Sequence, residues 1–251
     1  MTSLPILSVN HLSLTDSERT LFKDISFELF QGEILAIMGP SGIGKSMLSK
    51  AVAGFLPSDV WVGGSIQING SEVAQTAMLQ RSQSQRPAVI FQDALKALNP
   101  LASVEQQLCL ALTGNKTRLS SANLETVTAL LSQLGFADPR AALAQHPSQL
   151  SGGQRICIAI ALLGSANLII ADEPTSALDP ITEAEILELF RSSVQQRNIS
   201  GLLITHDLSA ALACDKILVI ADNTMVAYGS PWQAIHQSSH PFCQQLAQLL
   251  P

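Results

Sequence analysis

The stretch that decides the fold of this chain is Ile34-Leu35-Ala36-Ile37-Met38, followed directly by Gly39-Pro40-Ser41-Gly42-Ile43-Gly44-Lys45-Ser46. Five consecutive apolar residues that end at a glycine are typical of a strand buried on both faces of a parallel sheet. The next eight residues fit the pattern GxxxxGK[ST], and helical spacing follows over residues 47–55. A strand, this loop and a helix in that order predict a phosphate-binding loop.

The chemistry of such a loop explains its residue types. Glycines let the backbone curl tightly, so that successive N–H groups point at phosphate oxygens. The helix that follows adds the positive end of its dipole. We expect Lys45 to contact the β- and γ-phosphates of a nucleotide and the Ser46 hydroxyl to bind Mg²⁺.

A second candidate for binding or catalysis is the acidic pair Asp172-Glu173, which follows the apolar run Leu168-Ile169-Ile170-Ala171. The pair should lie at the carboxyl end of a buried strand, where ligands bind in open α/β sheets. Asp172 suits a carboxylate that binds Mg²⁺, directly or through water, and Glu173 suits a general base for an attacking water. Taken alone, the pair would favour the interpretation as two solvated acids at a strand end.

The remaining pattern predicts how the chain is organised. Residues 6–9 and 25–30 read as an antiparallel start, and residues 65–70 as a strand ending in an Asn-Gly turn. The polar residues 71–86 read as helix and surface loop. Leucine- and alanine-rich helical patterns occupy residues 104–112 and 124–134. Strand and helix patterns then alternate over residues 168–171, 181–196, 201–205, 209–213 and 217–221.

These elements predict one α/β domain over residues 1–251, with a mostly parallel sheet, an antiparallel β part at the N-terminus and an inserted α-helical subdomain. We expect the α/β core to comprise residues 1–92 and 155–251, and the helical subdomain to comprise about residues 93–154.

Composition limits the classes of function. The formal charge of −6 disfavours a nucleic-acid partner, because proteins that bind phosphate backbones carry a basic face. The longest apolar run, residues 156–171, is interrupted by polar residues and is shorter than the ~20 residues of a membrane span. No export signal is visible at the N-terminus. Cysteines 109, 157, 214 and 243 are far apart, which favours buried thiols in a reducing cytosol over a zinc or iron–sulfur site.

A third motif, Leu150-Ser151-Gly152-Gly153-Gln154, lies between the other two. The three motifs in this order resemble the ATP-binding-cassette (ABC) ATPases, which have a RecA-like P-loop NTPase core. The resemblance covers nearly the whole chain and implies ATP and Mg²⁺ as ligands. It also implies that the signature residues Ser151, Gly152, Gly153 and Gln154 act in trans, on a nucleotide that a second ATPase subunit holds.

Three further segments carry the same resemblance. Residues 176–179 resemble the D-loop, in which Asp179 lies near the interface between the two ATPase subunits. His206, in Leu202-Leu203-Ile204-Thr205-His206-Asp207, resembles the switch histidine that contacts the γ-phosphate. Gln92, in Val89-Ile90-Phe91-Gln92-Asp93, resembles the Q-loop glutamine, which reaches Mg²⁺ or the attacking water. The implied catalytic residues are therefore Glu173, His206 and Gln92, and the implied Mg²⁺ ligands are Ser46, Gln92 and Asp172.

The sequence departs from the family pattern at three places. Residues 12–20 contain no aromatic side chain that could stack on adenine. Ile156 and Cys157 replace the polar pair that usually follows the signature. Ala94 stands where proline is common.

Within the family, the chain resembles the peptide/nickel import group. The resemblance rests on Phe91-Gln92-Asp93 with Leu98-Asn99-Pro100, on His146-Pro147, and on Ser239-His240-Pro241-Phe242. The chain is compact, and in this it is more similar to the nickel or nickel-chelate members than to the peptide members. The group implies a peripheral subunit on the cytoplasmic face of the plasma membrane, working with two permease subunits, an identical or sister ATPase and, indirectly, a solute-binding protein.

Two other classes remain as alternatives. A soluble ABC ATPase of the repair or translation type normally has long coiled coils or a duplicated cassette, and neither pattern is visible. A P-loop kinase would have no reason to carry the signature, and a GTPase would need a guanine-reading NKxD loop, which we do not find.

Overall fold

The buried strand that precedes the phosphate motif spans Ile34–Met38, as its apolar run predicts, and all of its residues are buried. The structure is a computed structural model that describes residues 4–17, 19–115, 118–150, 152–175 and 178–249. Its strands are β1 (Leu7–Thr15), β2 (Thr20–Leu29), β3 (Ile34–Met38), β4 (Trp61–Ile68), β5 (Ser71–Glu72), β6 (Ala88–Ile90), β7 (Leu168–Asp172), β8 (Ser200–Ile204), β9 (Lys216–Ala221) and β10 (Thr224–Gly229).

The helices lie between the strands and in one long insertion. They are α1 (Lys45–Ala53), α2 (Ala94–Ala97), α3 (Val104–Thr113), α4 (Ser121–Gln133), α5 (Pro139–Ala144), α6 (Gly153–Leu163), α7 (Pro180–Arg197), α8 (Leu208–Leu212), α9 (Pro231–His236) and α10 (Pro241–Gln248). No helix in the described part of the chain is both long enough and apolar enough to span a bilayer.

The chain divides into two compact units. The first comprises Met1–Pro87, Asn167–Asp172 and Val194–Pro251, and the second comprises Ala88–Ala166 and Glu173–Ser193. The expected division at residues 92/93 and 154/155 stays a prediction.

In the first unit, parallel strands are ordered β9, β3, β8, β7, and β10 pairs antiparallel with β9. Ile204 is in register with Ile37 on one side and with Asp172 on the other. The carboxyl ends of β3, β8 and β7 therefore lie side by side at one edge of the sheet. This confirms the predicted parallel sheet.

A separate antiparallel sheet in the same unit has the order β2, β1, β4, β5. The predicted antiparallel start is confirmed, although β1 and β2 are longer than the apolar pattern indicates. The predicted Asn-Gly turn is also present, since Asn69 and Gly70 both adopt positive φ angles of 51° and 72°.

The second unit consists mainly of helices. Its helices begin at polar caps: the side chains of Ser103, Ser120 and Asp138 accept hydrogen bonds from backbone N–H groups in the first turns of α3, α4 and α5. Helix α6 is mostly apolar and buried, and α3 packs on it. In α7, Ile186 and Phe190 are buried one helical turn apart.

All of the cysteine side chains are buried thiols outside any disulfide bond, as predicted from their spacing. Burial raises the pKa of the Cys157 thiol to about 11, which keeps this group protonated and unreactive at neutral pH.

The polar stretch 71–86 differs from its predicted helix. It contains the short strand β5 and two single turns of 3₁₀ helix at Met78–Gln80 and Gln83–Gln85. The reason is Arg81, whose side chain is 1% exposed. Its guanidinium donates to the carbonyl oxygens of Thr76, Val52 and Val73 at 2.9, 2.5 and 3.1 Å. The stretch thus wraps around a buried cation instead of presenting a helical face.

Burial lowers the pKa of Arg81 to about 10, so the guanidinium remains charged at neutral pH. We expect Arg81→Met to lower the free energy of unfolding by about 3 kcal/mol, because three carbonyl oxygens would lose their donor. Urea unfolding would measure this change. Arg140→Met, at an exposed arginine, is the control and should change stability by less than about 0.5 kcal/mol. Equal effects of the two substitutions would contradict the role assigned to Arg81.

Candidate functional site

The loop at residues 39–46 follows β3 and is shaped by close backbone contacts. A Cβ atom on Gly39 would lie 2.2 Å from the carbonyl oxygen of Ile220, so no side chain fits there. Gly44, at φ 101°, adopts a left-handed conformation, and a Cβ on it would lie 2.9 Å from the ring of Phe22. Both glycines are therefore required by the fold of the loop.

Lys45 is the first residue of α1, and its side chain is 7% exposed. Its Nζ donates to the carbonyl oxygens of Gly39 and Pro40, at 2.8 and 3.0 Å. The ammonium is thus folded over its own loop and largely removed from water. A buried cation at the start of a helix, beside a curled loop, is well suited to attract phosphate oxygens.

Asp172 ends β7, is 4% exposed, and accepts hydrogen bonds from helix α1. The Ser46 hydroxyl donates to Oδ1 at 3.1 Å, and the Ser49 hydroxyl lies 3.4 Å from Oδ2. The Ser46 hydroxyl and the Asp172 carboxylate thus bring two oxygen atoms close together, and oxygen atoms are the ligands that Mg²⁺ prefers. In the described ranges, no group of three or more His, Cys, Asp and Glu side chains could hold a metal ion. The hydroxyl and carboxylate oxygens of Ser46 and Asp172 would fit Mg²⁺ that takes its other ligands from phosphate and water.

His206 follows β8, between the strands that carry the phosphate loop and Asp172. Its side chain is exposed, and the chain turns directly after it into α8, whose N-cap is Asp207. Asp207 Oδ1 accepts from the N–H of Ala210 at 2.6 Å, and the Asp207 N–H donates to the Thr205 hydroxyl at 3.0 Å. These bonds fix the backbone on either side of His206, so the imidazole projects from a defined edge of the sheet.

In the second unit, Glu173 and Gln92 meet. Gln92 Nε2 donates to Glu173 Oε2 at 2.9 Å. Glu173 has a φ of 47°, a left-handed conformation that residues with side chains rarely adopt. Such backbone strain is concentrated at functional sites, where surrounding contacts maintain it. The pair has the geometry of a carboxylate base held by an amide.

The signature segment leads into α6, which begins at Gly153. Gly152, Gly153 and Gln154 are buried, and Gln154 Nε2 donates to the carbonyl oxygen of Glu173 at 3.1 Å. Gln154 Oε1 is buried and has no hydrogen-bond partner among the residues that the structure describes. Ser151 lies outside the described residues. The sequence did not predict the bond that ties the signature to Glu173 of the same chain.

Asp179 lies at the start of α7, where its Oδ1 accepts from the N–H groups of Ile181 and Thr182 at 3.2 and 3.1 Å. Hydrogen bonds from Thr182, through its side chain and its N–H, lower the pKa of this exposed carboxyl group. The Thr175 hydroxyl donates to Glu183 Oε1 at 2.6 Å, which anchors the chain before the D-loop. Residues 176 and 177 of the D-loop lie outside the described part.

The structure therefore groups the predicted residues in two sets. The phosphate loop, Asp172 and His206 belong to the first unit. Gln92, Glu173, Gly152, Gly153, Gln154 and Asp179 belong to the second. Sequence reasoning missed Phe22 and Ser49. Ser49 could have been found, because it lies three residues after Ser46 on the same helix face, whereas the contact of Phe22 with Gly44 spans too much sequence to be visible.

The chain is similar in sequence to a family of known proteins. The family model described as ABC transporter matches residues 22–176, which is more than half of the chain. The chain belongs to the ABC transporter family. Within it, the cassette is 37% identical over 257 residues to the dipeptide transport ATP-binding protein DppD of Bacillus subtilis, covering 98% of this chain and 77% of that protein. It is 33% identical to the metal-staphylopine import system ATP-binding protein CntD of Staphylococcus aureus, covering 97% and 92%.

Solved structures support the fold of the cassette. An ATP-binding subunit of an ABC transporter superposes with a TM-score of 0.76 at 27% identity, covering 97% of this chain and 98% of that one. A dimeric bacterial ABC transporter cassette superposes with a TM-score of 0.75 at 24% identity, covering 90% and 98%. The cassette is thus an ATP-binding subunit of the transport type, with ATPase activity coupled to transport, and the non-transport alternative is disfavoured.

The phosphate loop gives a direct prediction. Lys45→Ala should weaken ATP binding at least about tenfold, because a charge-assisted hydrogen bond to phosphate is lost. Titration with a fluorescent ATP analogue would measure the dissociation constant. Lys23→Ala removes the same charge from an exposed position on β2 and should leave binding unchanged. Equal affinities of the Lys45→Ala variant and the native chain would contradict the assignment.

Proposed function

We propose that this cassette hydrolyses Mg²⁺-bound ATP to energise an importer of short peptides or metal chelates. The observation that carries the proposal is the hydrogen-bonded set of Ser46 and Asp172, followed in the chain by Glu173 with its Gln92 partner. A metal-binding carboxylate and a held carboxylate base are the groups that phosphoryl transfer to water needs.

In the proposed reaction, Glu173 accepts a proton from the water that attacks the γ-phosphorus, while the bond from that phosphorus to the ADP oxygen breaks. Gln92 orients the carboxylate through its bond to Oε2. Lys45 and the loop N–H groups neutralise charge on the β- and γ-phosphates, and His206 contacts the γ-phosphate from the end of β8. Ser46, Asp172 and Gln92 would hold Mg²⁺, which supplies neutralisation of phosphate charge.

The proposed site is completed by a second ATPase subunit, identical or sister. Support comes from the start of α6, where Gly152 and Gly153 leave backbone N–H groups at the positive end of a helix. This signature is proposed to meet the nucleotide held by the other subunit, with Asp179 near the contact.

The transported solute is proposed from the relatives alone. DppD is named for dipeptides and CntD for a metal chelate. Both solutes are small and polar, and both would be recognised by other components of the importer. Reconstitution with the permease subunits and the solute-binding protein would separate the two classes: only the matching solute should stimulate ATP hydrolysis.

A groove in the helical unit is the proposed docking site for the permease, on the cytoplasmic side of the membrane. It encloses about 440 Å³ and is lined by Asn99, Gln106, Leu110 and Ile160 among others. Leu101, on the loop before α3, is 88% exposed. A groove with an apolar floor and an exposed leucine near its rim suits a helical segment of a permease.

The general-base proposal predicts that Glu173→Gln slows ATP hydrolysis about 100-fold or more while ATP binding is retained, because the amide cannot accept the proton. Turnover by phosphate release and binding by titration would measure the two effects. Glu185→Gln changes an exposed glutamate on α7 and should leave turnover unchanged. Hydrolysis at the native rate in the Glu173→Gln variant would rule out this role.

The docking proposal predicts that Leu101→Arg reduces co-purification of the cassette with its permease, since a charge would replace an apolar contact. ATP binding by the separate cassette should not change. Leu249→Arg is the matched control, because Leu249 is also exposed, at 72%, but belongs to the other unit. Full retention of the permease by the Leu101→Arg variant would contradict the proposed docking site.

A further inference from the structure

Arg155, the residue directly after the signature, connects the start of α6 to the end of α4. Its Nη1 donates to the carbonyl oxygens of Leu134 and Gly135, at 3.2 and 2.9 Å. Leu134 is the C-cap of α4, where backbone carbonyls have no partner within the helix. A single guanidinium nitrogen thus ties the first turn of one helix to the last turn of another.

The same guanidinium stacks on an aromatic ring. Arg155 Cζ lies 4.6 Å from the centroid of Phe136, which is within the range of a cation–π interaction. Arg155 and Phe136 are both half-buried. Partial removal from water strengthens the contact and makes its geometry specific.

The first glycine of the signature, Gly152, packs closely against this pair. A Cβ atom on Gly152 would lie 2.9 Å from Nη2 of Arg155 and 3.0 Å from Cζ of Phe136. The backbone of Gly152 therefore lies directly against the guanidinium and the ring. Moving Arg155 would move the surface on which the signature rests.

The Nε atom of Arg155 differs from Nη1 in its hydrogen bonding. This atom is buried and has no hydrogen-bond partner in the described ranges of the chain. A buried donor without a partner is costly, so the bonds from Nη1 and the stacking on Phe136 must offset this cost. The planar guanidinium group of arginine can donate hydrogen bonds and stack on an aromatic ring at the same time, which the ammonium group of lysine cannot do.

We propose that Arg155 is a positioning residue: with Phe136, it fixes Gly152 and the first turn of α6 in the orientation that lets the signature act on the partner's nucleotide. This inference rests on the proposed action of the signature in trans. The described hydrogen bonds of the Arg155 side chain go to Leu134 and Gly135, so its proposed role is to position the signature. Its loss should lower the rate of hydrolysis in the assembled transporter and leave the cassette's own affinity for ATP intact.

The test compares Arg155→Lys and Phe136→Leu with Arg140→Lys, which makes the same change at an exposed arginine of the same unit. Turnover and KM for ATP are measured in the assembled transporter and normalised to folded protein. The ATP dissociation constant and the amide exchange of residues 152–156 are measured on the full-length cassette.

We expect Arg155→Lys to lower kcat about tenfold, since small displacements of a positioned group cost at least this much. KM, the ATP dissociation constant and the melting temperature should stay near native values, while amide exchange at residues 152–156 becomes faster. Phe136→Leu should show the same pattern more weakly, and Arg140→Lys should match the native chain.

Two results would overturn the inference: native kcat in the Arg155→Lys variant, or a loss of turnover that merely follows a loss of folded protein. Failure of the proposed function is distinguishable, because the transporter with the native cassette would then hydrolyse no ATP. Amide exchange decides the inference in that case also. Faster exchange at residues 152–156 in the Arg155→Lys variant but not in the Arg140→Lys variant supports the positioning role of Arg155, and unchanged exchange refutes it.

Discussion

The buried carboxylate of Asp172 is the constraint on which the arrangement of the first unit depends. A carboxylate that is 4% exposed must be hydrogen-bonded, and hydroxyls of α1 donate to it. These bonds fix the rotation of α1 relative to the end of β7. Because Lys45 and Ser46 begin that helix, the same bonds set where the cation and the proposed metal-binding hydroxyl lie. The position of the proposed phosphate-binding groups thus follows from satisfying one buried charge.

The glycines of the motifs have reasons that can be read from the packing around them. Gly39 lies against the carbonyl of Ile220, Gly44 against the ring of Phe22, and Gly152 against the guanidinium of Arg155. In each case a Cβ atom would lie less than 3.0 Å from the neighbour. The packing behind these glycines thus disfavours a side chain, and the proposed ligand contacts use the N–H groups of the same residues.

Sequence reasoning succeeded where one local signal dominates. The five apolar residues 34–38 gave a buried strand with the correct bounds, and the alternation after residue 167 gave the parallel sheet. It failed at Thr224–Gly229, where every residue is half-buried and no period-two pattern marks the strand. Among the site residues, motif order predicts Lys45 and Glu173, but it does not indicate Phe22 or the contacts of Arg155. Those contacts join segments about twenty residues apart, and their partners are carbonyl oxygens that leave no trace in the sequence.

Glu173 shows how strain and hydrogen bonding combine in the second unit. A residue with a side chain at φ 47° stores about 1–3 kcal/mol of backbone strain. Two glutamine amides oppose its relaxation: Gln92 binds the carboxylate, and Gln154 binds the carbonyl oxygen. One of these glutamines follows β6 and the other begins α6. The orientation of the base is therefore held jointly by the segment after β6 and by the signature helix. A movement of α6 within this unit must stretch the bond from Gln154, so the proposed base and the signature of one chain are mechanically joined.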